Sequence, residues 1–495
     1  MKQIVFDYRT GKGMIWNLQE ILAAYPFGLT DSPWNKPGIS TTDEEWIDLF
    51  VYEGYSQYGK DFLKYVEGRF AIVYYDKVKH RIFITRDWMG EMPLHYLIAQ
   101  NGFYLANTIY RIKEAMQQDF TYENIRAFPQ GYCQVIELNN SDENNIAATY
   151  RPDKRQLYYD FEEEVISKSN LETDIEKFDF PALSAYIKEA VLKRSRNTNG
   201  INCLLLSGGL DSLCIAVAMK SAGVNFETFT LSIDDKLGEA DMADIFAKKL
   251  GVKHTVINVS TDEIVSSFDE SVRIGEAYHL YNVYCTLGML LLGKKLAELG
   301  ITKAFCGEAM NEAVGDYKDW CVYNPILKKN ILLQKINTER LQNIPERILY
   351  VWGNSVDKGK YNRQLGTGLA KHASARMVKP FMANNIDLHC PYYQPSFLSS
   401  IVAFSPRQLK EIGYKPGLLW RIFKNDFEQY GFDEAMIKQC KKIRLQDASE
   451  NGEYGISSIL LASGDNQEKA LSIFNNFFNT NYNIKDKTKT LLCTA

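Results

Sequence analysis

Residues Leu204–Ser212 read LLLSGGLDS, an apolar run that ends in Ser207, Gly208, Gly209, Leu210, Asp211 and Ser212. These residue types at this spacing suit the binding of a pyrophosphate group. A buried strand running to Leu206 delivers two glycines into a tight turn, where backbone can approach a ligand closely. The apolar stretch Leu213–Met219 that follows reads as a helix. The start of a helix aims free N–H groups at anionic phosphates. Ser207 and Ser212 add hydroxyl donors, and Asp211 offers a carboxylate for the magnesium that accompanies a nucleotide. The plainer alternative is a strand–turn–helix junction with Gly-Gly at the bend and Asp or Ser as cap. The complete S-G-G-L-D-S string after a buried run favours the nucleotide.

Such a turn needs a sheet behind it. From Phe180 onward the pattern alternates: helix 181–195, strand 201–206, helix 211–221, strand 226–233, helix 239–250, strand 253–258. That order implies a doubly wound parallel sheet with its ligand site at the carboxyl ends of the strands. The remainder, 270–480, reads as mainly helical. The first part of the chain is β-rich instead. Arg69–Tyr75 and Arg81–Thr85 flank a polar turn as in a hairpin, Phe103–Ala106 follows Asn101-Gly102, and Tyr132–Leu138 is a further strand. A helix is expected over Asp43–Tyr58, where Trp46, Leu49, Phe50 and Tyr55 recur at helical spacing. The polar, acid-rich stretch between Asp160 and Asp179 reads as a linker. The fold class expected is therefore α/β, with one domain over 1–165 and a second over 178–495.

Composition narrows the partners. At 495 residues the chain is too long for one ordinary core, so about two or three domains are expected. A net charge of −4 with both signs interspersed leaves no footprint for nucleic acid. The opening MKQIVFDYRTGKG lacks an apolar core for a secretory signal, and no membrane span is expected. Nine cysteines without C-x-x-C pairs fit reduced thiols in the cytoplasm better than a disulfide or zinc framework. Six histidines form no H-E-x-x-H or similar cluster, so no transition-metal site is expected.

The SGGLDS string resembles the pyrophosphate loop of the N-type ATP pyrophosphatases, which split ATP to AMP and pyrophosphate. A G-x-x-x-x-G-K-[ST] loop after a strand is missing, which excludes the kinase-type alternative. A second segment, Glu67-Gly68-Arg69-Phe70-Ala71 through Arg86-Asp87-Trp88-Met89-Gly90-Glu91-Met92-Pro93-Leu94-His95-Tyr96, is similar to class II glutamine amidotransferase domains. Together, in this order, they resemble the asparagine synthetase and β-lactam synthetase superfamily over 41–160 and 178–460. The resemblance implies an Ntn-hydrolase-like αββα domain, then an ATP pyrophosphatase domain with a mainly helical extension. A glutaminase of that class uses an N-terminal cysteine as nucleophile. Here position 2 is Lys2, the first cysteine is Cys133 inside an expected strand, and the N-G-E-x-Y-N string is absent. The N-terminal domain is therefore expected to be inactive as a glutaminase. Cys133 as a replacement nucleophile is the alternative to a buried strand thiol.

The same resemblance carries further residues. Gly307-Glu308-Ala309-Met310-Asn311-Glu312 falls where the family has G-E-G-S-D-E. It implies that Gly307 borders the nucleotide, Glu308 lies near the attacking amine, and Asn311 stands in place of a magnesium-binding aspartate. An amide oxygen binds the ion without the charge, so Glu312 or Asp316 could assist. The alternative is one solvated acidic helix face of Glu308, Glu312 and Asp316. Arg376 and Lys379 match the family's R-x-x-K, which implies cations for phosphates or a substrate carboxylate. Lys442, or Lys441 in the other register, matches the K-x-x-F-x-D-G lysine that stabilises an oxyanion. Asp447–Gly455 is flexible in composition and suits a closing loop.

The reaction implied is ATP-dependent and AMP-forming. A carboxylate is adenylated with ATP and Mg2+, and a substrate amine then closes an amide or lactam, as in specialised-metabolite synthesis. Ammonia as acceptor, and macrolactam closure of a peptide, are the other outcomes the superfamily contains. The partners expected are a small-molecule carboxylate and amine, with no nucleic acid and no membrane, and a homodimer is compatible. A reading of another class is a binding or scaffold protein without catalysis. Asn311 supports it, and the intact SGGLDS string argues against it.

Overall fold

The structure, a computed structural model, describes residues 6–7, 14–16, 58–65, 69–76, 79–99, 102–117, 120–138, 150–170, 174–195, 201–235, 240–315, 320–324, 329–333, 344, 347, 374–440 and 455–483. It divides into two compact units: the first takes Met1–Asp160 with Val356–Arg363 and Phe478–Thr480, and the second takes Phe161–Ser355, Gln364–Phe477 and Asn481–Ala495. Among the described residues no helix is long and apolar enough to cross a membrane.

The first unit holds two antiparallel sheets. One comprises β1 (Phe6–Asp7), β5 (His95–Ala99), β6 (Gly102–Ala106) and β7 (Arg126–Ala127), in the order β1-β6-β5-β7. The other comprises β2 (Met14–Trp16), β3 (Ala71–Asp76), β4 (Arg81–Arg86), β8 (Tyr132–Glu137) and β9 (Gln156–Leu157), in that order. Helix α1 (Ile109–Met116) follows β6. The expected hairpin is present as β3–β4, with Ala71 opposite Arg86 and Asp76 opposite Arg81. The expected helix over Asp43–Tyr58 lies outside the described residues, except for Tyr58.

The amidotransferase-like R-D-x-x-G string closes on itself. The Asp87 carboxylate accepts N–H groups from Phe70 (3.3 Å), Met89 (3.1 Å), Glu91 (2.9 Å) and Met92 (3.0 Å). The Arg86 guanidinium donates to the carbonyls of Met92 (2.6 Å), Phe128 (3.1 Å) and Gly90. Gly90 sits at φ 71°, and a Cβ there would lie 2.9 Å from the Arg86 guanidinium carbon. Motif and glycine thus serve to satisfy one buried turn.

The second unit opens with α2 (Phe161–Ser169), where a linker was expected. Phe161 and Val165, four apart, are buried, and Glu162–Glu164 occupy the first turn, where acids favour a helix. Glu164 accepts from the Ser399 hydroxyl at 2.7 Å, and Lys168 donates to the Ser399 and Ser400 hydroxyls at 2.6 and 3.1 Å. The acidity that reads as linker is the polar face of a packed helix.

Next come α3 (Phe180–Arg194), β10 (Asn202–Leu205), α4 (Leu210–Ser221), β11 (Phe226–Ile233), α5 (Ala240–Leu250) and β12 (His254–Val259). The expected strand–helix alternation is present element for element. Later in the chain, β13 (Lys303–Phe305) and β16 (Asp387–His389) join the same sheet, which is parallel throughout in the order β12-β11-β10-β13-β16. Asn202–Leu206 are buried, as a strand covered on both faces requires, and so is every residue of α4 from Leu210 to Met219. Each large apolar side chain so buried contributes roughly 1.5–3 kcal/mol. Helices α6 (Thr261–Ser266), α7 (Phe268–Gly275) and α8 (Leu280–Glu298) follow β12. The described residues of 270–480 are mainly helical as expected, with an antiparallel hairpin, β14 (Trp320–Asn324) with β15 (Lys329–Leu333), besides.

Candidate functional site

From β10 the chain runs outward through β11 and β12 on one side, then returns to place β13 on the other. The crevice between β10 and β13 is the switch point of the sheet, where open α/β sheets take their ligands. Two turns leave the strands there: Leu206–Gly209 after β10 and Cys306–Ala309 after β13.

The first turn is held from within. Thr230 Oγ1 donates to the Leu206 carbonyl, and the Leu206 N–H donates to the Phe229 carbonyl at 2.9 Å. Gly208 takes φ 67°, a left-handed conformation that favours glycine. The Ser207 N–H donates to Ser212 Oγ at 3.2 Å, while Ser212 Oγ donates to the Gly209 carbonyl at 3.0 Å. The two serine hydroxyls lie 3.3 Å apart. Gly209 caps α4 without a side chain, so the first-turn N–H groups receive no side-chain cap. That geometry suits a multiply charged oxyanion.

The second turn touches the first. A Cβ at Gly307 would stand 2.8 Å from both the Asp211 carbonyl carbon and the Ser212 nitrogen, so only glycine fits this contact. The segment just after β16 supports both turns: Tyr392 Oη donates to the Asp211 carbonyl at 2.8 Å, and Cys390 Sγ to the Glu308 carbonyl at 2.9 Å. Ala309 caps the short helix α9 (Met310–Val314) at φ 108°, strained for a residue with a Cβ.

Glu308 accepts a hydrogen bond from Arg376 Nη2, and Glu312 lies 3.4 Å from the same nitrogen. Burial disfavours the Arg376 charge, but the two carboxylates outweigh it and hold the guanidinium protonated. The solvated acidic face is overturned for Glu312, which is 2% exposed, and Asp316 lies outside the described residues. Lys379, on α10 (Lys379–Ala383), is buried against Glu276 at 2.6 Å. Both expected cations thus already have carboxylate partners. Lys441, Lys442 and Asp447 lie outside the described residues.

A residue without a sequence signal completes the cluster. Lys415 stands at the start of α13 (Tyr414–Gln429), which follows α11 (Pro395–Ala403) and α12 (Pro406–Ile412). Its ammonium lies 3.1 Å from Asp211 Oδ2 and donates to Asn311 Oδ1. Asp211 Oδ1 is buried without a hydrogen-bond partner. One open carboxylate oxygen therefore fits a metal ion, whereas the Asn311 oxygen is taken by an ammonium. Among the described residues no group of three or more His, Cys, Asp or Glu is arranged to hold a metal.

Comparison with known proteins finds two family profiles along the chain. The asparagine synthase family profile matches residues 182–389, and the glutamine amidotransferase domain profile matches residues 9–146. The asparagine synthetase [glutamine-hydrolyzing] of Cricetulus griseus is 25% identical over 268 residues, 51% of this chain and 46% of that protein. A second such enzyme, from Arabidopsis thaliana, is 24% identical over 277 residues, 53% of this chain and 43% of that protein. The human asparagine synthetase [glutamine-hydrolyzing] is 25% identical over 268 residues, 51% of this chain and 46% of that protein. The chain thus spans about half the length of the curated relatives it matches. A solved glutamine phosphoribosylpyrophosphate amidotransferase from B. subtilis aligns over 52% of this chain and 48% of its own, at TM-score 0.20 and 10% identity, too low to bear on the fold. With the two profiles in this order and the synthetase relatives behind them, the chain belongs to the asparagine synthetase superfamily, with a glutamine amidotransferase-like N-terminal domain.

Proposed function

We propose that this chain is an ATP-dependent, AMP-forming ligase that joins a substrate carboxylate to a substrate amine. The observation that carries the reading is the contact of Gly307 with the Asp211–Ser212 backbone, which brings the Ser207–Ser212 cradle and Glu308 to one crevice. A carboxylate oxygen attacks the α-phosphorus, and the bond to the β-phosphate oxygen breaks. The departing pyrophosphate lies against Ser207, Gly208, Gly209, Ser212 and the first N–H groups of α4. Asp211 would hold magnesium brought with the nucleotide, which supplies neutralising charge for the phosphates. Arg376 fixes Glu308 beside the acyl carbon, where the carboxylate orients the incoming amine and takes up its proton. Amide and AMP are released. Leu206 and Lys379 support the turn and its surroundings, and Lys442 would face the oxyanion by resemblance alone.

The amine is assigned to a substrate rather than to glutamine hydrolysed in the first unit. Cys133 lies in the core of that unit with Phe62, Phe70, Ile72 and Phe83, and burial pushes its thiol up to about 12. One feature favours free ammonia as acceptor: Glu308 resembles the glutamate of the asparagine synthetase motif, which a tyrosine replaces in β-lactam synthetases.

The test is pyrophosphate release with candidate carboxylates and ATP, followed by product mass. Asp211→Ala is expected to abolish pyrophosphate release, and release that survives it removes this reading. Loss of one water from a single compound identifies a lactam, replacement of hydroxyl by amino identifies ammonia, and a joined mass identifies ligation of two molecules.

A further inference from the structure

The ammonium of Lys415 lies between the two side chains that the resemblance assigns to magnesium. Counted as charges, Asp211 contributes −1, Asn311 nothing and Lys415 +1, so the cluster is neutral. The Lys415 and Asp211 side chains are 11% and 10% exposed, so little water screens them from an approaching ion. An aspartate at 311 would have left one net negative charge to attract a cation. The amide removes that charge and gives its oxygen to the ammonium.

The lysine is rigidly presented. Gly413 at φ 92° ends α12 and turns the chain into α13. A Cβ at Gly417 would lie 1.9 Å from the Ile412 carbonyl oxygen, so the turn preceding Lys415 is packed directly on the helix that carries it. Pro416 sits in the first turn, where a missing N–H costs nothing. Asp211 Oδ1, buried and without a partner, is the one open ligand atom.

We infer that Lys415 is a built-in cation that bars a free divalent ion from Asp211 and Asn311, so that the chain takes up metal only together with a polyphosphate. This rests on the nucleotide reading of the cradle. A polyphosphate brings several negative charges, enough to attract both the ammonium and an ion on the open oxygen of Asp211. A bare divalent ion finds the attraction of Asp211 cancelled by the repulsion of Lys415.

The test uses Mn2+ as probe, with the full chain and the free-ion EPR signal as readout. Without nucleotide, the wild-type isotherm is expected to coincide with that of Asp211→Asn, which reports only surface sites. Lys415→Gln and Asn311→Asp are each expected to create one additional site, more than about tenfold tighter than any wild-type site at Asp211. Addition of α,β-methylene-ATP is expected to create that site in the wild type, and not in Asp211→Asn. An Asp211-dependent Mn2+ site in nucleotide-free wild type overturns the proposal. So do isotherms of both charge variants that stay on the wild-type curve; if Lys415→Gln does not fold, Asn311→Asp makes the same comparison alone. Failure of α,β-methylene-ATP to bind any variant removes the nucleotide reading, while the nucleotide-free isotherms still decide the role of Lys415.

Discussion

Glu308 and Asn311 show how far a residue's role depends on its neighbour. Read as letters, both are acceptors on a short acidic stretch. In the structure Glu308 is bound to Arg376, which fixes its position, and Asn311 is bound to Lys415. Glu308→Gln keeps a hydrogen-bond acceptor but cannot take up a proton. It is expected to lower amide formation by about 10²-fold or more while leaving ATP–pyrophosphate exchange within a few-fold of wild type. Equal loss of both activities would place Glu308 in adenylation instead. The Arg376–Glu308 pair was half legible in the sequence, because each partner fell on its own motif. The pairing was not, since 68 residues separate them and no local pattern couples such positions.

At the scale of elements, the turn after β13 is the strained part of the site. Ala309 is held at φ 108° where the resembled motif has glycine, because the chain must bend to lay Gly307 on α4. Ala309→Gly is expected to raise stability by about 1 kcal/mol, read as a higher midpoint in denaturant or heat. A lower midpoint would mean that the Ala309 methyl packs more than its backbone suffers. The elements from α3 to β12 were legible because apolar periodicity reports them directly. The helix α2 was not, since its acids mask two buried apolar positions, Phe161 and Val165. Nor were β13 and β16 assigned to the parallel sheet, as three-residue strands carry too little pattern to separate them from the helices around them.

At the scale of the molecule, the N-terminal unit keeps an amidotransferase-like frame without a reactive thiol among its described residues. Cys133→Ser is expected to leave ATP-dependent product formation unchanged, with no Cys133-dependent release of glutamate from glutamine. Glutamate release by the wild type that disappears in this variant would assign Cys133 as nucleophile. Its burial on β8 makes the expected cost one of stability alone, about 1–2 kcal/mol in the denaturation of the chain. The sequence by itself determined what is local: the glycine turn, the apolar strand that feeds it, the alternation of strand and helix, and the order of two family-like segments. Those features follow from dihedral preference and from burial of a periodic face, both of which act within a few residues. Only the tertiary structure decided which turns meet. Gly307 lies on Asp211 because β13 returns to the free edge of β10, and Lys415 reaches Asp211 across 204 residues because the first turn of α13 packs through Gly417 on the end of α12. Charge pairing at that range is set by packing, and the pattern of neighbouring letters holds no record of it.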